Sequence, residues 1–507
     1  MHTKVLCAAL AGVDADIVHV EVDLALGLPA FAIVGLPEGA VKESKVRVLA
    51  AISNCGYAVP PRKVTVNLAP ADLKKTGSGF DLAIALGMLA GAGLVSAERL
   101  DGLMAIGELG LDGRCRPVPG ALPFALKARR ENIGQLLVAE DNAAEAAVVA
   151  GVEVLPVADL PAAVMHLTGE KPVAPHPRTE AVPAARHDEI DLAEVRGQEH
   201  AKRALEVAAA GAHNAVMIGP PGSGKTMLAR RMATILPPLT FAEMLEVSAA
   251  HSVLGLTSAA KPLVTVRPFR APHHTVSDAG LVGGSNPPRP GEVSLAHNGI
   301  LFLDELPEFK RHVLEVLREP LEEGAITISR ASGHSTFPAT FNLIASMNPC
   351  PCGYFGAQER ECTCGAGAVE KYRARISGPL LDRIDIHIEV PSVRVRDLTG
   401  TCRTESSASV RERVVAAREI QSARFEGTHT RVNGRMSLRQ IHEHCALDES
   451  GQALLEKAIA RLGLSARAYA RILKVARTIA DLEKSRAISV PHLAEAIGYR
   501  SLDRRKS

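Results

Sequence analysis

The sequence predicts an α/β protein in which a phosphate-loop module is preceded by a second α/β domain and followed by a helical region. The central observation is the stretch NAVMIGPPGSGKTMLARRMA, where an apolar strand over 215–218 leads into a glycine-rich loop and an amphipathic helix. Upstream, apolar alternating runs such as Ile17–Val22 and Gln135–Val138 are separated by helical stretches such as Asp81–Ala92. Downstream, apolar residues recur every 3.6 positions in GQALLEKAIARLGL and ARILKVARTIADLE, which is typical of helices.

Length and composition are those of a soluble, multidomain globular protein. A chain of 507 residues is expected to form roughly two to four domains, and its hydrophobic fraction of 47% and charged fraction of 22% are ordinary. Aromatic residues make up 3% and tryptophan is absent, which disfavours large aromatic platforms for stacking bases. The net charge is +2, but residues 391–507 carry +9, so this basic end either meets phosphates or is a solvated helical face.

The sequence predicts a cytoplasmic protein without a membrane segment. The start, MHTKVLCAALAGVDADIV, resembles a weak signal peptide, but its apolar run is short and strand-like alternation follows, so we interpret it as the first strand. No apolar run is long enough to span a membrane. Five of the nine cysteines are scattered without regular spacing: Cys7, Cys55, Cys115, Cys402 and Cys445. This distribution predicts reduced thiols rather than a disulfide framework.

Shifts in composition divide the chain into four parts. Residues 1–169 form the first α/β domain, and residues 170–189, which are rich in proline and charge, form a linker without periodicity. A second α/β domain over 190–391 carries the phosphate loop, and helices occupy 392–507. We therefore expect the chemistry to lie in the second domain.

The glycine-rich loop has the spacing of a nucleotide-binding phosphate loop. Its glycines let backbone N–H groups surround phosphates at the N-terminus of the following helix. Lys225 is expected to neutralise the β- and γ-phosphates, and Thr226 to offer its hydroxyl to magnesium. The predicted nucleotide-binding residues are Gly219, Pro220, Pro221, Gly222, Ser223, Gly224, Lys225 and Thr226. The sequence therefore predicts that ATP and Mg²⁺ bind here.

Four further polar residues stand next to apolar strands in the order that ATP hydrolysis needs. In GILFLDELPEF, Asp304 ends a strand and is expected to hold the magnesium water shell, while Glu305 polarises the attacking water. In FNLIASMNP, Asn348 ends another strand, where its amide can orient that water against the γ-phosphate. In SGPLLDRIDIHIEV, Arg383 precedes a strand and is expected to stabilise transition-state charge on the nucleotide of a neighbouring subunit.

Together these motifs resemble those of the AAA+ ATPases, and most closely the branch of magnesium chelatase subunits and MCM helicases. Within that branch the chain is identified as a member of the ComM (YifB) family by GLVGGSNPPRPGEVSLAHNGILFLDELPEF, NPCPCGY and SGPLLDRIDIHIEV, and the resemblance covers nearly the whole chain. It implies a hexameric ring of AAA+ P-loop cores with helical C-terminal lids. In the lid, SARAYARILKVART resembles the sensor 2 helix, with Arg467 in the arginine column and Arg471 as the second choice.

Two inserts in the second domain resemble the channel-lining hairpins of this branch. PFRAPHHTVSDAGLVGG matches the position of the helix-2 insert, and two strands around SGH at 332–334 match the hairpin before sensor 1. By resemblance to MCM, Arg330 falls in the column of a DNA-contacting lysine; the alternative is a surface hairpin with a solvated arginine. The adjacent His273 and His274 are interpreted as structural rather than as metal or phosphate ligands.

The first domain resembles the protease domain of Lon, which uses a serine–lysine dyad. KKTGSGFDLAIALGMLA parallels Lon's serine helix and GELGLDGRCRPVPGAL its lysine segment, but the serine column falls on Gly79 and the lysine column on Leu122. Without a nucleophile and a base at these positions we expect no protease chemistry. A dyad shifted to Ser78 and Lys127 is the alternative, and a binding or assembly role is the preferred interpretation.

The remaining four cysteines form two Cys-x-Cys pairs in MNPCPCGYFGAQERECTCGAG, between sensor 1 and the Arg383 segment. They are Cys350, Cys352, Cys362 and Cys364. Four thiolates in two pairs suit tetrahedral Zn²⁺, and Gly353 and Gly365 permit tight turns around it. We interpret the cluster as a structural zinc site; free thiols and a redox switch are the alternatives.

The residues and the resemblance together predict a cytoplasmic, ring-forming ATPase. The resemblance implies ATP-driven movement along single-stranded or branched DNA, including branch migration during recombination of incoming DNA. A chelatase-type or protein-remodelling motor would share all the ATP-binding residues, and an ATP-dependent protease is disfavoured by Gly79 and Leu122. The nature of the substrate therefore depends mainly on the resemblance.

Overall fold

The computed structural model describes residues 2–180, 190–330, 333–357, 360–393, 404–463 and 465–500. Within these ranges the chain forms two α/β domains followed by a group of helices. No helix of the described ranges is long and apolar enough to cross a membrane.

The first domain is built on a seven-stranded mixed sheet. The strands of the domain are β1 (His2–Ala11), β2 (Asp14–Ala25), β3 (Ala30–Val34), β4 (Lys63–Ala69), β5 (Leu103–Ile106), β6 (Glu108–Leu109), β7 (Cys115–Arg116), β8 (Gln135–Ala139) and β9 (Glu153–Val157). Its helices are α1 (Gly39–Asn54), α2 (Asp81–Gly91), α3 (Ala121–Arg130), α4 (Glu140–Ala146) and α5 (Leu160–Thr168). The sheet order is β3-β4-β2-β1-β5-β8-β9, while β6 and β7 pair separately.

Helix α2 is the central helix of this domain because its sequence is apolar on every side. All 11 of its residues are buried, and it packs across β1 and β2. The one charged residue in α2, Asp81, is neutralised by Arg47, whose Nε lies 2.6 Å from the carboxylate. A buried carboxylate without such a partner would be strongly destabilising.

The second domain contains a five-stranded, fully parallel sheet and two small hairpins. Its strands are β10 (Ala215–Ile218), β11 (Phe269–Arg270), β12 (Gly283–Gly284), β13 (Arg289–Pro290), β14 (Ile300–Leu303), β15 (Ala325–Arg330), β16 (Gly333–Pro338), β17 (Asn342–Met347) and β18 (Ile386–Glu389). Its helices are α6 (Glu199–Gly211), α7 (Lys225–Ile235), α8 (Phe241–Ser252), α9 (Asp278–Val282), α10 (Glu292–Leu295), α11 (Arg311–Glu315), α12 (Arg318–Glu323), α13 (Ala366–Arg373) and α14 (Gly378–Leu381).

The order of the parallel sheet is β11-β14-β17-β10-β18. Every residue of β10, β14 and β17 is buried, in keeping with a sheet covered on both faces. Because the strands are parallel, the C-terminal ends of β10, β14 and β17 meet at one edge, and the N-terminal end of β18 lies at the opposite edge. Polar residues that follow β10, β14 and β17 are therefore close together, and residues that precede β18 are on the other side of the sheet.

In the described part of the C-terminal lid there are five helices: Ser407–Arg424, Leu438–His444, Glu449–Leu462, Ala466–Leu482 and Val490–Gly498. Their apolar faces share one core with α6 and α7. The Ser407 hydroxyl accepts from the backbone N–H of Leu192 at 2.8 Å and lies 2.6 Å from the Thr234 hydroxyl. The lid therefore packs on the helix that follows the phosphate loop.

The first domain packs against two elements of the second. Ala249 of α8 and Leu263 belong to the core of the first domain, and the Thr257 hydroxyl donates to the buried Glu145 carboxylate at 2.8 Å. On another surface, a Cβ placed on Gly12 would lie 3.2 Å from the backbone oxygen of Thr336 in β16. The first domain thus touches both α8 and the hairpin formed by β15 and β16.

Candidate functional site

The phosphate loop connects β10 to α7 in the geometry that phosphate binding requires. Gly222 and Gly224 have φ angles of 77° and 89°, in the left-handed region that favours glycine. Lys225, the first residue of α7, donates to the carbonyl oxygens of Gly219 and Pro220, each at 2.8 Å. Burial lowers the pKa of Lys225, and the charges of Asp304 and Glu305 oppose that shift. The ammonium group is therefore fixed inside the loop.

The two predicted magnesium ligands are in direct contact. The Thr226 hydroxyl donates to Oδ2 of Asp304 at 2.8 Å. The other oxygen, Oδ1, accepts from the Ser346 hydroxyl and, at 3.0 Å, from the backbone N–H of Glu305. A hydroxyl and a carboxylate are hard oxygen ligands, so this pair fits Mg²⁺ held together with nucleotide phosphates. Ser346 orients the carboxylate, a role that sequence reasoning missed because the residue lies inside an apolar strand.

Glu305 follows Asp304 in an unusual backbone conformation. Its φ and ψ angles are 53° and 47°, which lie in the left-handed region. Non-glycine residues occupy this region rarely, and often at functional sites. The side chain is 55% exposed, and Nδ1 of His274 lies 3.6 Å from its Oε2. Glu305 thus projects beyond the sheet edge, where a water molecule can reach it.

Asn348 lies at the same edge, directly after β17. In the sheet, Met347 is paired with Ile218, the residue before the phosphate loop. Oδ1 of Asn348 is 3.3 Å from Nζ of Lys225. The structure therefore brings together the phosphate loop, both acids and the predicted sensor 1.

Gln198 is a further residue near the loop that sequence reasoning missed. It has a φ of 70° and precedes α6. Its Nε2 donates to the Ser223 backbone oxygen at 3.4 Å and also to that of Pro391. Gln198 thus ties the phosphate loop to the segment after β18. Nothing in the local sequence pattern marks it, since its partners are remote in the chain.

Arg383 lies at the opposite edge of the sheet, away from the phosphate loop of its own chain. It precedes β18, whose Ile386 is paired with Ala215 at the start of β10. Its guanidinium donates to the Pro379 carbonyl oxygen at 2.6 Å and forms an ion pair with Glu322. Burial lowers the pKa of Arg383, Glu322 opposes that shift, and the nearby positive charges of Arg318 and Arg467 add to it.

The two sensor 2 candidates differ in their surroundings. Arg467, in the first turn of Ala466–Leu482, is exposed and close enough to Arg383 to affect its pKa. Arg471, one turn later, forms an ion pair with the buried Asp385 and donates to the Arg383 carbonyl oxygen at 3.4 Å. Arg471 is engaged in holding the lid to the sheet edge. Arg467 is the arginine that faces outward beside Arg383.

The inserts pack against each other. In the hairpin of β15 and β16, Arg330 is paired with Gly333 across the two strands. The side chain of Arg330 and the turn at 331–332 lie outside the described part of the structure. A Cβ placed on Gly283, in the helix-2 insert (residues 268–284), would lie 2.7 Å from Cδ1 of Ile328. The two inserts are therefore in van der Waals contact.

The four paired cysteines converge in the cysteine loop (residues 347–367). Their sulfur atoms all lie within 4.8 Å of one another. The Cys350 sulfur is 3.4 Å from that of Cys352 and 3.7 Å from that of Cys362, and Cys352 to Cys362 is 3.6 Å. Four thiolates around Zn²⁺ at about 2.3 Å would be separated by roughly 3.8 Å. A backbone hydrogen bond from Tyr354 lowers the pKa of Cys352, whereas desolvation and the neighbouring thiols raise the pKa of Cys362 and of Cys364. Four thiolates this close together would therefore need a cation among them.

The cysteine loop also touches the phosphate loop. Gly353 has a φ of 87°, and a Cβ placed there would lie 2.5 Å from Cδ of Pro221. Only glycine fits such a close approach. The cluster is therefore packed on the nucleotide site rather than forming part of it.

The Lon-like positions contain no assembled dyad. Gly79 offers its backbone oxygen to Gly107, and Leu122 is fully buried. Within the described residues, Ser78 donates to Glu108, whereas Lys127 pairs with Glu131 at 3.0 Å. These contacts fit the prediction that the first domain lacks protease chemistry, which stays a prediction.

A parallel P-loop sheet in this strand order, with acids after β14, a polar residue after β17 and a helical lid, defines an AAA+ ATPase, as the sequence predicted. Family models match most of the chain: "Magnesium chelatase, subunit ChlI" over residues 191–398, "Subunit ChlI of Mg-chelatase" over 20–142, and "Magnesium chelatase, subunit ChlI C-terminal" over 404–500. This class implies bound nucleotide and Mg²⁺.

Comparison with individual proteins identifies the family within the AAA+ ATPases. The chain is 45% identical to the competence protein ComM of Haemophilus influenzae over 98% of this chain and 97% of that protein. It is 44% identical to the uncharacterized protein YifB of Escherichia coli, over 99% and 97%. It is also 23% identical to the DNA replication licensing factor mcm6 of Dictyostelium discoideum, in an alignment that covers 53% of this chain and 27% of that protein. The chain belongs to the ComM family of magnesium-chelatase-like AAA+ ATPases, which confirms the resemblance read from its motifs.

Proposed function

We propose that the protein forms a hexameric ring in the cytoplasm and couples ATP hydrolysis to movement on single-stranded or branched DNA. The observation that carries the ring is the division of the catalytic residues between two edges of the sheet. Lys225, Asp304, Glu305 and Asn348 lie at one edge. Arg383 lies at the other edge, where the positive charge of Arg467 helps to lower its pKa. A complete site therefore requires two copies of the chain arranged head to tail.

Each residue of the shared site has a defined task. Bound Mg²⁺ supplies Lewis-acid stabilisation of the phosphates, and Thr226 with Asp304 would hold it. Lys225 and the loop amides bind the β- and γ-phosphates, and Asn348 with Glu305 orients and deprotonates the attacking water. Arg383 of the adjacent copy, with Arg467 beside it, stabilises the negative charge that develops on the γ-phosphate in the transition state. That phosphate would compete with Glu322, which is 51% exposed, for the guanidinium of Arg383.

Support for DNA as the substrate comes from the inserts and the relatives. The hairpin of β15 and β16 leads into the N-terminal end of β17, and Asn348 follows the C-terminal end of the same strand, so a displacement of β17 would link sensor 1 to the hairpin. The competence protein ComM and the replication licensing factor mcm6 are named for processes that involve DNA. An arginine such as Arg330 can bind phosphates without reading bases, which suits a motor that acts on any sequence. We infer branch migration or unwinding during recombination of incoming DNA as the cellular task.

We further propose that the four cysteines hold a structural Zn²⁺. The sulfur separations fit tetrahedral coordination, as described above. When bound, the metal would fix the loop that follows Asn348 and packs on Pro221, and would take no part in the reaction. The alternatives of free thiols and a redox switch predict protein without zinc.

The ATPase rate measured with different polymers tests the DNA proposal. We expect single-stranded and branched DNA to raise the rate, and an unfolded polypeptide to leave it unchanged. The reverse result would favour a chelatase-type or protein-remodelling motor. Stimulation by DNA without strand displacement on a branched substrate would contradict the motor part of the proposal.

A further inference from the structure

A cavity of about 210 Å³ lies where the lid meets the edge of the sheet opposite the phosphate loop. Its walls come from the residues just before β10 and β18, from the end of α12 and from two segments of the lid. The charged residues that line it are Glu322, Asp385, Arg435, Arg471 and Lys474. The cavity has the volume of about seven water molecules and is smaller than the roughly 300–1,000 Å³ of pockets for drug-sized ligands.

Both acidic residues of this cavity already have partners. One oxygen of Asp385 forms an ion pair with Arg471, and the other lies 3.3 Å from Nδ1 of the buried His213. Glu322 forms an ion pair with Arg383. The carboxylates therefore offset the charges of Arg471 and Arg383, and neither is available to the other two cations.

Those two cations, Arg435 and Lys474, form no ion pair within the described ranges. The guanidinium of Arg435 donates to the carbonyl oxygens of Leu321 at 3.0 Å and Phe341 at 3.4 Å. The ammonium group of Lys474 donates to the carbonyl oxygen of Gly434 at 3.1 Å. A guanidinium has five N–H donors and an ammonium has three, so each group keeps donors that can meet a further acceptor.

The positive charges around the cavity repel one another. Burial lowers the pKa of Lys474 to about 8, Asp385 opposes that shift, and the charges of Arg471 and Arg435 add to it. Burial lowers the pKa of Arg435 as well, Asp385 again opposes the shift, and Arg471 adds to it. Charge that is withdrawn from water without a counter-charge is destabilising, so the cavity favours an anion.

We propose that this cavity binds one phosphate-type oxyanion, which Arg435 and Lys474 hold with support from Arg471. A tetrahedral oxyanion presents oxygens in several directions, so it can accept from both unpaired cations at once through charge-assisted hydrogen bonds. Lys474 belongs to the lid helix Ala466–Leu482, and Arg435 is bonded to the end of α12, so the anion would fix the lid to the sheet edge beside Arg383. The site depends neither on a ring nor on DNA.

Equilibrium dialysis with radiolabelled inorganic phosphate tests this site. The full-length protein should carry Lys225→Ala, so that the phosphate loop does not contribute, and we expect it to bind about one phosphate per chain. Adding Lys474→Gln should weaken this binding at least about tenfold, as expected when a charge-assisted hydrogen bond is lost. Lys474→Arg should retain the binding. Lys457→Gln, which changes an exposed lysine of the lid helix Glu449–Leu462, is the matched control.

Melting temperatures in the same Lys225→Ala background show whether the substitution disturbs the lid itself. Without phosphate, Lys474→Gln should melt no lower than its background, because it removes a cation that has no acidic partner within the described ranges. Phosphate should raise the melting temperature of the background in a saturable way, since it binds the folded state. Lys474→Gln should lose this rise, whereas Lys457→Gln should keep it, which separates specific binding from the general stabilising effect of phosphate.

Equal phosphate binding by the Lys474→Gln and Lys457→Gln proteins would overturn the inference. A lower melting temperature of Lys474→Gln with unchanged phosphate binding would show that Lys474 is only structural. A single-stranded oligonucleotide distinguishes the two sources of phosphate. If Lys474→Gln weakens oligonucleotide binding and no free phosphate binds the background protein, the cavity takes a polymer phosphate and the free oxyanion is excluded. None of these results bears on the proposed ATPase ring.

Discussion

At the scale of single residues, the proposed mechanism gives nucleotide binding and turnover to different side chains at the P-loop edge of the sheet. Lys225 donates to the carbonyl oxygens of Gly219 and Pro220, which hold its ammonium group inside the phosphate loop. Glu305 points outward from a left-handed backbone position, and its side chain is 55% exposed. Removal of these two side chains is therefore expected to impair different steps, namely ATP binding and ATP hydrolysis.

This difference gives the first prediction. Lys225→Ala should abolish ATP binding, because the phosphates lose their enclosed cation. Glu305→Gln should bind ATP normally and lower the hydrolysis rate by about 10²–10⁴-fold, since only the water-activating group is lost. Binding of a fluorescent ATP analogue and a steady-state ATPase assay separate the two effects. Parent-like hydrolysis by Glu305→Gln would show that another residue activates the water.

Ser346 gives a second prediction at this scale. Its hydroxyl donates to Oδ1 of Asp304 and so orients the carboxylate that would hold Mg²⁺. Ser346→Ala should raise the Mg²⁺ concentration needed for half-maximal ATPase by about 10–100-fold, as is usual for residues that orient metal ligands. Titration of ATPase with Mg²⁺ measures it, and Ser248→Ala, a buried serine that contacts Val264 instead, is the control. An unchanged Mg²⁺ requirement would exclude this orienting role.

Sequence reasoning located the residues at strand ends and missed those held by remote partners. Glycine spacing and apolar strands predicted the fold class, which is confirmed. They also predicted the phosphate loop, Asp304, Glu305 and Asn348, which lie together in the structure and whose roles stay predictions. Ser346 was hidden because it lies inside a largely apolar run, FNLIASM. The ion pair of Arg383 with Glu322 joins residues 61 positions apart, a separation that no local pattern spans.

At the scale of elements, the cysteine loop links sensor 1 to the phosphate loop through Gly353 and Pro221. A fixed loop would hold Asn348 and Pro221 in their positions relative to each other, whereas a loose loop would displace both.

The first domain also contains an arrangement that the sequence did not reveal. Its core takes in Ala249 of helix α8 and Leu263 from the segment after that helix. The spacing of apolar residues predicts which face of a helix is buried, but it does not predict which domain that face packs against.

The cysteines supply the third prediction. Protein purified without chelator should contain about one zinc per chain. Changing Cys362 and Cys364 to serine should lower the melting temperature by roughly 4–10 °C and reduce ATPase at the same time, because a structural metal contributes folding free energy. Cys55→Ser, which alters a cysteine of the first domain, is the matched control. Metal analysis that finds no zinc would rule out the site.

The hairpin of β15 and β16 supplies the fourth prediction. If Arg330 grips the DNA backbone, Arg330→Ala should weaken binding of single-stranded DNA of any sequence and reduce the salt dependence of that binding by about one in log–log slope. It should also remove stimulation of ATPase by DNA. Fluorescence anisotropy at several salt concentrations measures the slope, with the exposed Arg129→Ala of the first domain as control. Equal losses in both variants would point to general electrostatics rather than to this hairpin.

At the scale of the whole molecule, the sheet separates two half-sites and the lid spans the distance between them. The lid shares a core with α7, which begins at Lys225, and its helix Ala466–Leu482 begins beside Arg383. In the proposed ring, changes at the phosphate loop of one subunit would be transmitted through the lid to Arg383 and Arg467 at the opposite edge. Each nucleotide site would then depend on its neighbour.

Mixing of inactive subunits tests this dependence. Arg383→Ala should keep ATP affinity and lose hydrolysis by about 10³–10⁵-fold, because the guanidinium acts only in the transition state. Mixed with Lys225→Ala subunits, it should regain activity, since about a quarter of the interfaces in an equal mixture pair an intact phosphate loop with an intact arginine. Lys225→Ala mixed with Glu305→Gln should remain inactive, because both defects lie on the same side of every interface. If rings form but the first mixture stays as inactive as the second, the arginine acts within its own chain, and Arg383 would have to leave Glu322 and cross the sheet to reach its own nucleotide.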